Sequence, residues 1–153
     1  MIKRLYIDTS VFGGYFDQEF KVATTSFFQK IISKKLTLLV SSILELEIYQ
    51  APQKVIDLLE SIPEEQLERI DLTDEVKALA ETYIKEKVVG KSSIADCQHI
   101  ALATVYRADV LVSWNFKHIV NLERIRGYNS INFREGYQMI EIRTPKEIFK
   151  YED

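Results

Sequence analysis

The chain has 153 residues, 46% hydrophobic and 28% charged, which is enough apolar material for one core and cramped for two, so a single domain over 1–153 is expected. A formal net charge of -3 excludes nucleic-acid binding by overall charge alone, although a local basic strip or bound divalent cations could still supply attraction. The single cysteine, Cys97, excludes an internal disulfide, and with no signal-like leader and no membrane-length apolar run the expectation is a cytoplasmic protein with no membrane partner.

Lys3 to Ile7 reads as a strand that ends abruptly on Asp8, and Gly13-Gly14 reads as a flexible turn closing the segment Ser10 to Phe12. From Thr24 the residues Phe27, Phe28, Ile31 and Ile32 recur at helical spacing, and after Lys34-Lys35 the run Leu36 to Val40 predicts a second buried strand. Ser41 and Ser42 are N-cap candidates for a short helix over Ile43 to Gln50; Pro52 starts another helix through Ile62, which Pro63 closes. Thr73 or Asp74 caps the next helix, whose Val76, Leu79, Ala80, Tyr83 and Ile84 form an apolar stripe that Gly90 ends.

Ser92 or Ser93 then caps a mostly apolar helix to about Arg107, and Asp109 to Ser113 predicts a third strand. Asn115 to Leu122 looks like a short turn of helix, continued less regularly to Asn132, and Met139 to Ile142 looks like an edge strand. Thr144-Pro145-Lys146-Glu147 has the form of a capping box with proline at the first helical position. Strands separated by helices predict an α/β fold, a three-layer α/β/α sandwich with a mainly parallel central sheet. Ligands of such sheets gather outside the carboxyl ends of the strands, where Asp8, the Ser41-Ser42 turn and Trp114-Asn115 all fall.

Asp8, the Glu45-Leu46-Glu47 stretch, Asp96 and Ser113-Trp114-Asn115 therefore form a candidate constellation. Two carboxylates about 4 Å apart repel by roughly 4 kcal/mol at an effective dielectric of 20, so such a cluster needs a proton or a cation. Mg2+ or Mn2+ suits it, being hard and oxygen-seeking, whereas zinc would want Cys or His at ligand spacing, which Cys97 and His99 do not supply. A carboxylate-held divalent ion suits phosphodiester hydrolysis.

Plainer readings stand beside these. Asp8 alone could be an N-cap, and Asp96 suits the positive first turn of its helix. His99 reads as a core or capping histidine and Cys97 as a small buried residue, while Tyr83, Tyr106 and Phe133 are expected in the core. Tyr128 with Arg124, Arg126 and Arg134 offers an RNA-contacting strip, against a solvated helix face as the plainer alternative for the arginines.

The stretches LYIDTSVF, LVSSILELE, SSIADCQHIALA and ADVLVSWNF resemble, in order, the motifs of PIN-domain nucleases, the family that includes the toxins of bacterial and archaeal toxin-antitoxin pairs. The resemblance covers nearly the whole chain and implies a PIN-like sandwich with metal-dependent RNA cleavage. Carried over by position, Asp8, Glu47 and Asp96 match the family acids as direct or water-mediated ligands of Mg2+ or Mn2+. Glu45 is the rival for the second place, because on a helix Glu45 and Glu47 point about 200° apart and only one can face the site. Asn115 stands where the family most often has Asp; an amide keeps an oxygen acceptor to orient a water but removes a charge.

Ser10 resembles the family hydroxyl that bonds the first Asp or a metal water, and His118 and Asn121 are secondary candidates for phosphate contact. The resemblance implies RNA as substrate, an antitoxin protein as partner, and a homodimer. A catalytically weakened RNA- or protein-binding module is the competing function, with the Asn115 change as its reason. An aspartyl phosphatase is disfavoured, since its second acid two residues after the first would fall on Ser10.

Overall fold

The computed structural model of the chain describes residues 1–149. Its strands are β1 (Arg4–Ile7), β2 (Thr37–Ser41), β3 (Leu67–Ile70), β4 (Val110–Val112) and β5 (Ile142–Arg143). They form a five-stranded sheet in the order β3-β2-β1-β4-β5, with every neighbouring pair parallel. The connecting helices are α1 (Thr9–Gly14), α2 (Lys21–Ser33), α3 (Ser42–Tyr49), α4 (Gln53–Glu60), α5 (Asp74–Lys85), α6 (Ile94–Val105) and α7 (Leu122–Arg134).

The period of two along each strand divides the core. Leu5, Ile7, Leu38, Val40, Val110 and Val112 pack on one face of the sheet with apolar residues of α1 to α4, among them Phe12, Phe27, Phe28, Leu44 and Leu59. Tyr6, Leu39, Leu111 and Ile142 face the other side with residues of α5, α6 and α7, including Leu79, Tyr83, Ile100 and Tyr128. This is the expected three-layer α/β/α sandwich, with β1 at the centre of the sheet. No helix among the described residues is long and apolar enough to cross a membrane.

Helix starts follow local chemistry. Ser41, rather than Ser42, caps α3 by accepting from Leu44 N at 3.1 Å, and Thr73, rather than Asp74, caps α5 by accepting from Val76 N at 3.3 Å. Glycine in the left-handed region follows α7, at Gly136 (φ 85°), but α2, α5 and α6 are each followed there by a cationic residue, Lys35 (φ 54°), Lys87 (φ 60°) and Arg107 (φ 55°). Gly90 is therefore not the residue that ends α5.

Several expectations are corrected. The glycine pair is helical, and Gly14 closes α1 because a Cβ there would meet the Trp114 ring at 2.7 Å. Strand β3, sequence LERI, reads as polar because it is an edge strand with only Ile70 fully buried. Residues 116–119 form turns rather than helix, and Leu122–Arg134 is a regular helix in which Gly127 accommodates Val88. The last strand is Ile142–Arg143, with Met139 exposed outside it. At Thr144 the box half-forms: Glu147 accepts from Thr144 N at 3.1 Å, but the described residues that follow are turns. Phe133 is 78% exposed and not core, whereas Tyr128 is fully buried and cannot belong to an RNA-contacting strip.

The paired glycines give opposite signs. Gly14→Ala is expected to destabilise by about 1–3 kcal/mol through overpacking against Trp114. Gly13→Ala, with nothing within 4 Å of its would-be Cβ, is expected to stabilise by roughly 0.5–1 kcal/mol. Urea midpoints followed by tryptophan fluorescence check both.

Candidate functional site

The carboxyl end of β1 is where the site begins. Asp8 follows Ile7 with extended backbone, its N–H donating to Val112 O at 3.2 Å, and only 4% of it is exposed. Each carboxylate oxygen has a hydroxyl donor: Ser10 Oγ to Oδ1 at 2.5 Å and Ser113 Oγ to Oδ2 at 2.7 Å. These hydroxyls are themselves placed by backbone, since Trp114 N donates to Ser10 Oγ and Asn115 N to Ser113 Oγ, both at 2.9 Å. Behind them Trp114 stacks on Phe20 with ring centroids 4.2 Å apart, and its indole N–H donates to Thr24 Oγ1 at 2.9 Å.

A second arm runs from β1 to α3 through α6. The Tyr6 hydroxyl lies 2.8 Å from Ser41 Oγ and 2.6 Å from His99 Nδ1, and His99 Nε2 lies 2.7 Å from Glu47 Oε1. Ser41, Tyr6, His99 and Glu47 thus form one continuous hydrogen-bonded line from the end of β2 to α3. His99 is buried, as expected, but as a bridge to Glu47 rather than a simple core filler. Thr9 Oγ1 lies close enough to Glu47 to favour its charged form, without the geometry of a hydrogen bond.

The two acids of α3 diverge. Glu47 turns to His99, while Glu45 is 3.4 Å from Arg69 and lines a separate cavity of about 190 Å3 with Tyr49, Glu64 and Arg69. Asp96, in the first turn of α6, is half-buried and faces the Asn115 to His118 segment. Asn115 Oδ1 is already engaged, accepting from Lys117 N at 3.2 Å and His118 N at 3.0 Å, so its acceptor capacity closes a turn and its amide is the end near Asp96. Asn121 caps α7, accepting from Arg124 N at 3.2 Å. His118 Nδ1 is buried without a hydrogen-bond partner, and the His118 ring is near Asp96.

The acids sense one another. Burial pushes the Asp8 carboxyl up from its ordinary range; the Ser10 and Ser113 hydroxyls and His99 oppose it, and the charge of Asp96 adds to it. Burial likewise pushes Asp96 up, opposed by His118, His99 and Asn115 and reinforced by Glu47. At Glu47 burial also works upward, but the His99 hydrogen bond and charge, with Thr9, outweigh it and hold the carboxyl low.

No three His, Cys, Asp or Glu side chains among the described residues converge closely enough to share one ion. The donor set nevertheless fits Mg2+ or Mn2+, which take oxygen ligands and are commonly held by one or two direct carboxylates with water completing the shell. Buried Asp8, raised by the charge of Asp96, and half-buried Asp96, raised by that of Glu47, are relieved by such a cation.

Tyr6 and His99 belong to this network although the sequence singled out neither as a site residue, and Ser113 entered only as part of the stretch ending at Asn115. The available signal was their proximity in sequence to the strand ends and to Asp96; the pairings themselves span 105, 35 and 52 residues.

No protein-family model matches the chain, and no curated protein matches it. Among solved structures it is similar to VapBC2 from Rickettsia felis bound to a DNA fragment from their promoter, with TM-score 0.56, 16% identity, and coverage of 92% of this chain and 98% of that one. It is also similar to FitAB bound to an IR36 DNA fragment, with TM-score 0.60, 12% identity, and coverage of 96% and 99%. At these identities the likeness is one of fold, and the fold is PIN-like.

Two predictions follow from the buried acids and the bridge. An acid whose pKa is raised on folding retains extra protons in the folded state, so its contribution to stability falls as pH rises above about 4. Asp8→Asn is therefore expected to melt higher than the parent at pH 7 without added metal, with about 2–4 °C for each kcal/mol relieved, and the gap should close toward pH 4. In a double-mutant cycle, Tyr6→Phe and His99→Ala are expected to couple by about 0.5–3 kcal/mol in urea unfolding, because each leaves the other's buried polar atom without its partner.

Proposed function

We propose that the chain is a metal-dependent endoribonuclease, with RNA as substrate, acting as the toxin of a toxin-antitoxin pair. The observation that supports this reading is the electrostatic coupling, beyond the carboxyl ends of β1, β2 and β4, of Asp8 to Asp96 and of Asp96 to Glu47, with Asp8 and Asp96 both pushed up by burial and by a neighbouring acid. Structural acids seldom need such an arrangement, whereas a site for a phosphodiester and a divalent cation does. The sequence motifs add RNA cleavage and an antitoxin partner, and the likeness in fold to VapBC2 and FitAB is consistent with that class.

Of Asp8, Glu47 and Asp96, one or two would hold Mg2+ or Mn2+ directly and the rest through water; such an ion would neutralise phosphate charge and lower the pKa of a water for in-line attack on phosphorus. The chain's own contribution is to fix those acids. Ser10 and Ser113 immobilise the Asp8 carboxylate, and His99 orients Glu47 and keeps it ionised. Asn115 shapes the turn beside Asp96 and presents its amide there.

One observation favours a second reading, a PIN-like binding module with little catalysis: the Asn115 oxygen is committed to two backbone donors and not to a water or second ion. The two readings separate in one experiment. A mixed RNA incubated with purified protein should be cut only with added Mg2+ or Mn2+, and EDTA should stop it. Asp96→Asn should lose several kcal/mol of transition-state stabilisation, on the order of 10²-fold or more in rate. Equal cutting by both proteins would mean contamination, and RNA binding without cutting would favour the module. Asn115→Asp, which preserves the acceptor for the turn and adds a carboxylate, should raise cleavage at limiting metal.

A further inference from the structure

The loop between α5 and α6 and the first turn of α7 enclose a cavity of about 390 Å3 outside the acidic site. Lys85, Lys87, Lys91 and Arg124 line it over an apolar floor that includes Ile84 and Val89, and no carboxylate lines it. In a chain of net charge -3 this is a local reversal of sign. Among the described residues none of the four cations is in an ion pair, and the acid nearest in the loop, Glu86, is taken by Arg134 at 3.1 Å.

The cations stand on fixed backbone. Lys87 sits in the left-handed region, its N–H donating to Ile84 O and the next N–H, of Val88, to Tyr83 O, both at 3.0 Å. Arg124 donates to Val88 O, and Gly127 lets Val88 pack directly on α7. The three lysines are exposed on held backbone, so the patch is gathered before any ligand arrives, with the Arg124 head group fixed by Val88 O.

The place is also informative. Lys91 opens the 3-10 turn that runs into α6 five residues before Asp96, a little over one helical turn. Arg124 follows Asn121, which ends the segment beginning at Asn115. The cavity therefore flanks the corner of the acidic site where Asp96 and Asn115 lie.

We propose that this cavity is a docking subsite for the sugar-phosphate backbone of single-stranded RNA, holding a strand whose scissile bond lies at Asp8, Glu47 and Asp96. The inference rests on the ribonuclease reading and names how that site takes its substrate. Phosphates are the complementary charge, the acids of the reaction site repel the same strand, and the apolar floor offers a surface for an unpaired base, which a duplex would not present.

The test uses the full chain carrying Asp96→Asn, so that the probe survives, and a fluorescein-labelled single-stranded RNA of mixed sequence in EDTA. Affinity is read by anisotropy across a series of NaCl concentrations. Replacing Lys85, Lys87 and Lys91 together by Gln should weaken binding and make the slope of log K against log salt shallower by about 2, since each phosphate contact to a single strand contributes about 0.7. Replacing the same three by Arg should retain the parent slope, and matching melting temperatures show that both triple variants fold.

An unchanged slope in the Gln variant, with the parent binding RNA and the unsubstituted chain cutting it, overturns the subsite and leaves the ribonuclease reading standing. No RNA binding or cutting by any form overturns both. Loss of binding to a polyglutamate probe, with RNA binding unchanged, assigns the cavity to an acidic protein instead and overturns the proposal.

Discussion

Asp8 ends the central strand with 4% of its surface exposed, and an ionised carboxylate in that position is tolerable only while hydroxyls from two separate segments point at it. Ser10 is local, but Ser113 reaches Asp8 only because Ile7 pairs with Val112 in the β1-β4 ladder. The register is in turn fixed by packing. Leu5 and Ile7 face one core and Tyr6 the other, so a slip of one residue would exchange those faces and carry Asp8 away from its donors.

Tyr6 extends that constraint to the helices. Its hydroxyl ties Ser41 at the end of β2 to His99 on α6, and His99 passes the tie to Glu47 on α3. Asp96 lies three residues before His99, on the same side of α6, so fixing the imidazole also fixes the direction in which Asp96 leaves the helix. Two hydrogen-bonded arms, one at Asp8 just past β1 and one at Tyr6 within it, thus fix Asp8 and Glu47 directly.

What could be read from the sequence was what depends on near neighbours. The apolar runs of β1, β2 and β4, the caps Ser41 and Thr73, and the strand-ending Asp8 with Ser10 two residues on are all local patterns. What could not be read depends on contacts made at a distance. Gly14 looks like a turn residue until Trp114, a hundred residues later, lies where its Cβ would be. Tyr6 and His99 look like core because their hydroxyl and ring partners are 35 to 93 residues away. Lys87 ends α5 in a conformation that glycine usually signals, and β3 hides as LERI because an edge strand buries little. Asn115 was legible as an amide in place of an acid, but not that its oxygen would be taken by the turn it starts.

The bond between Ser113 and Asp8 spans 105 residues, and it belongs to a ladder joining the first strand of the chain to the fourth. In synthesis Asp8 precedes its partner Ser113 by 105 residues. Until residues past Ser113 are free to pair, β1 has only one of its two neighbours, and Asp8 lacks half of its hydroxyl cage. The acidic pocket is consequently a property of the assembled sheet: Asp8 has both of its hydroxyl donors only once β4 lies beside β1.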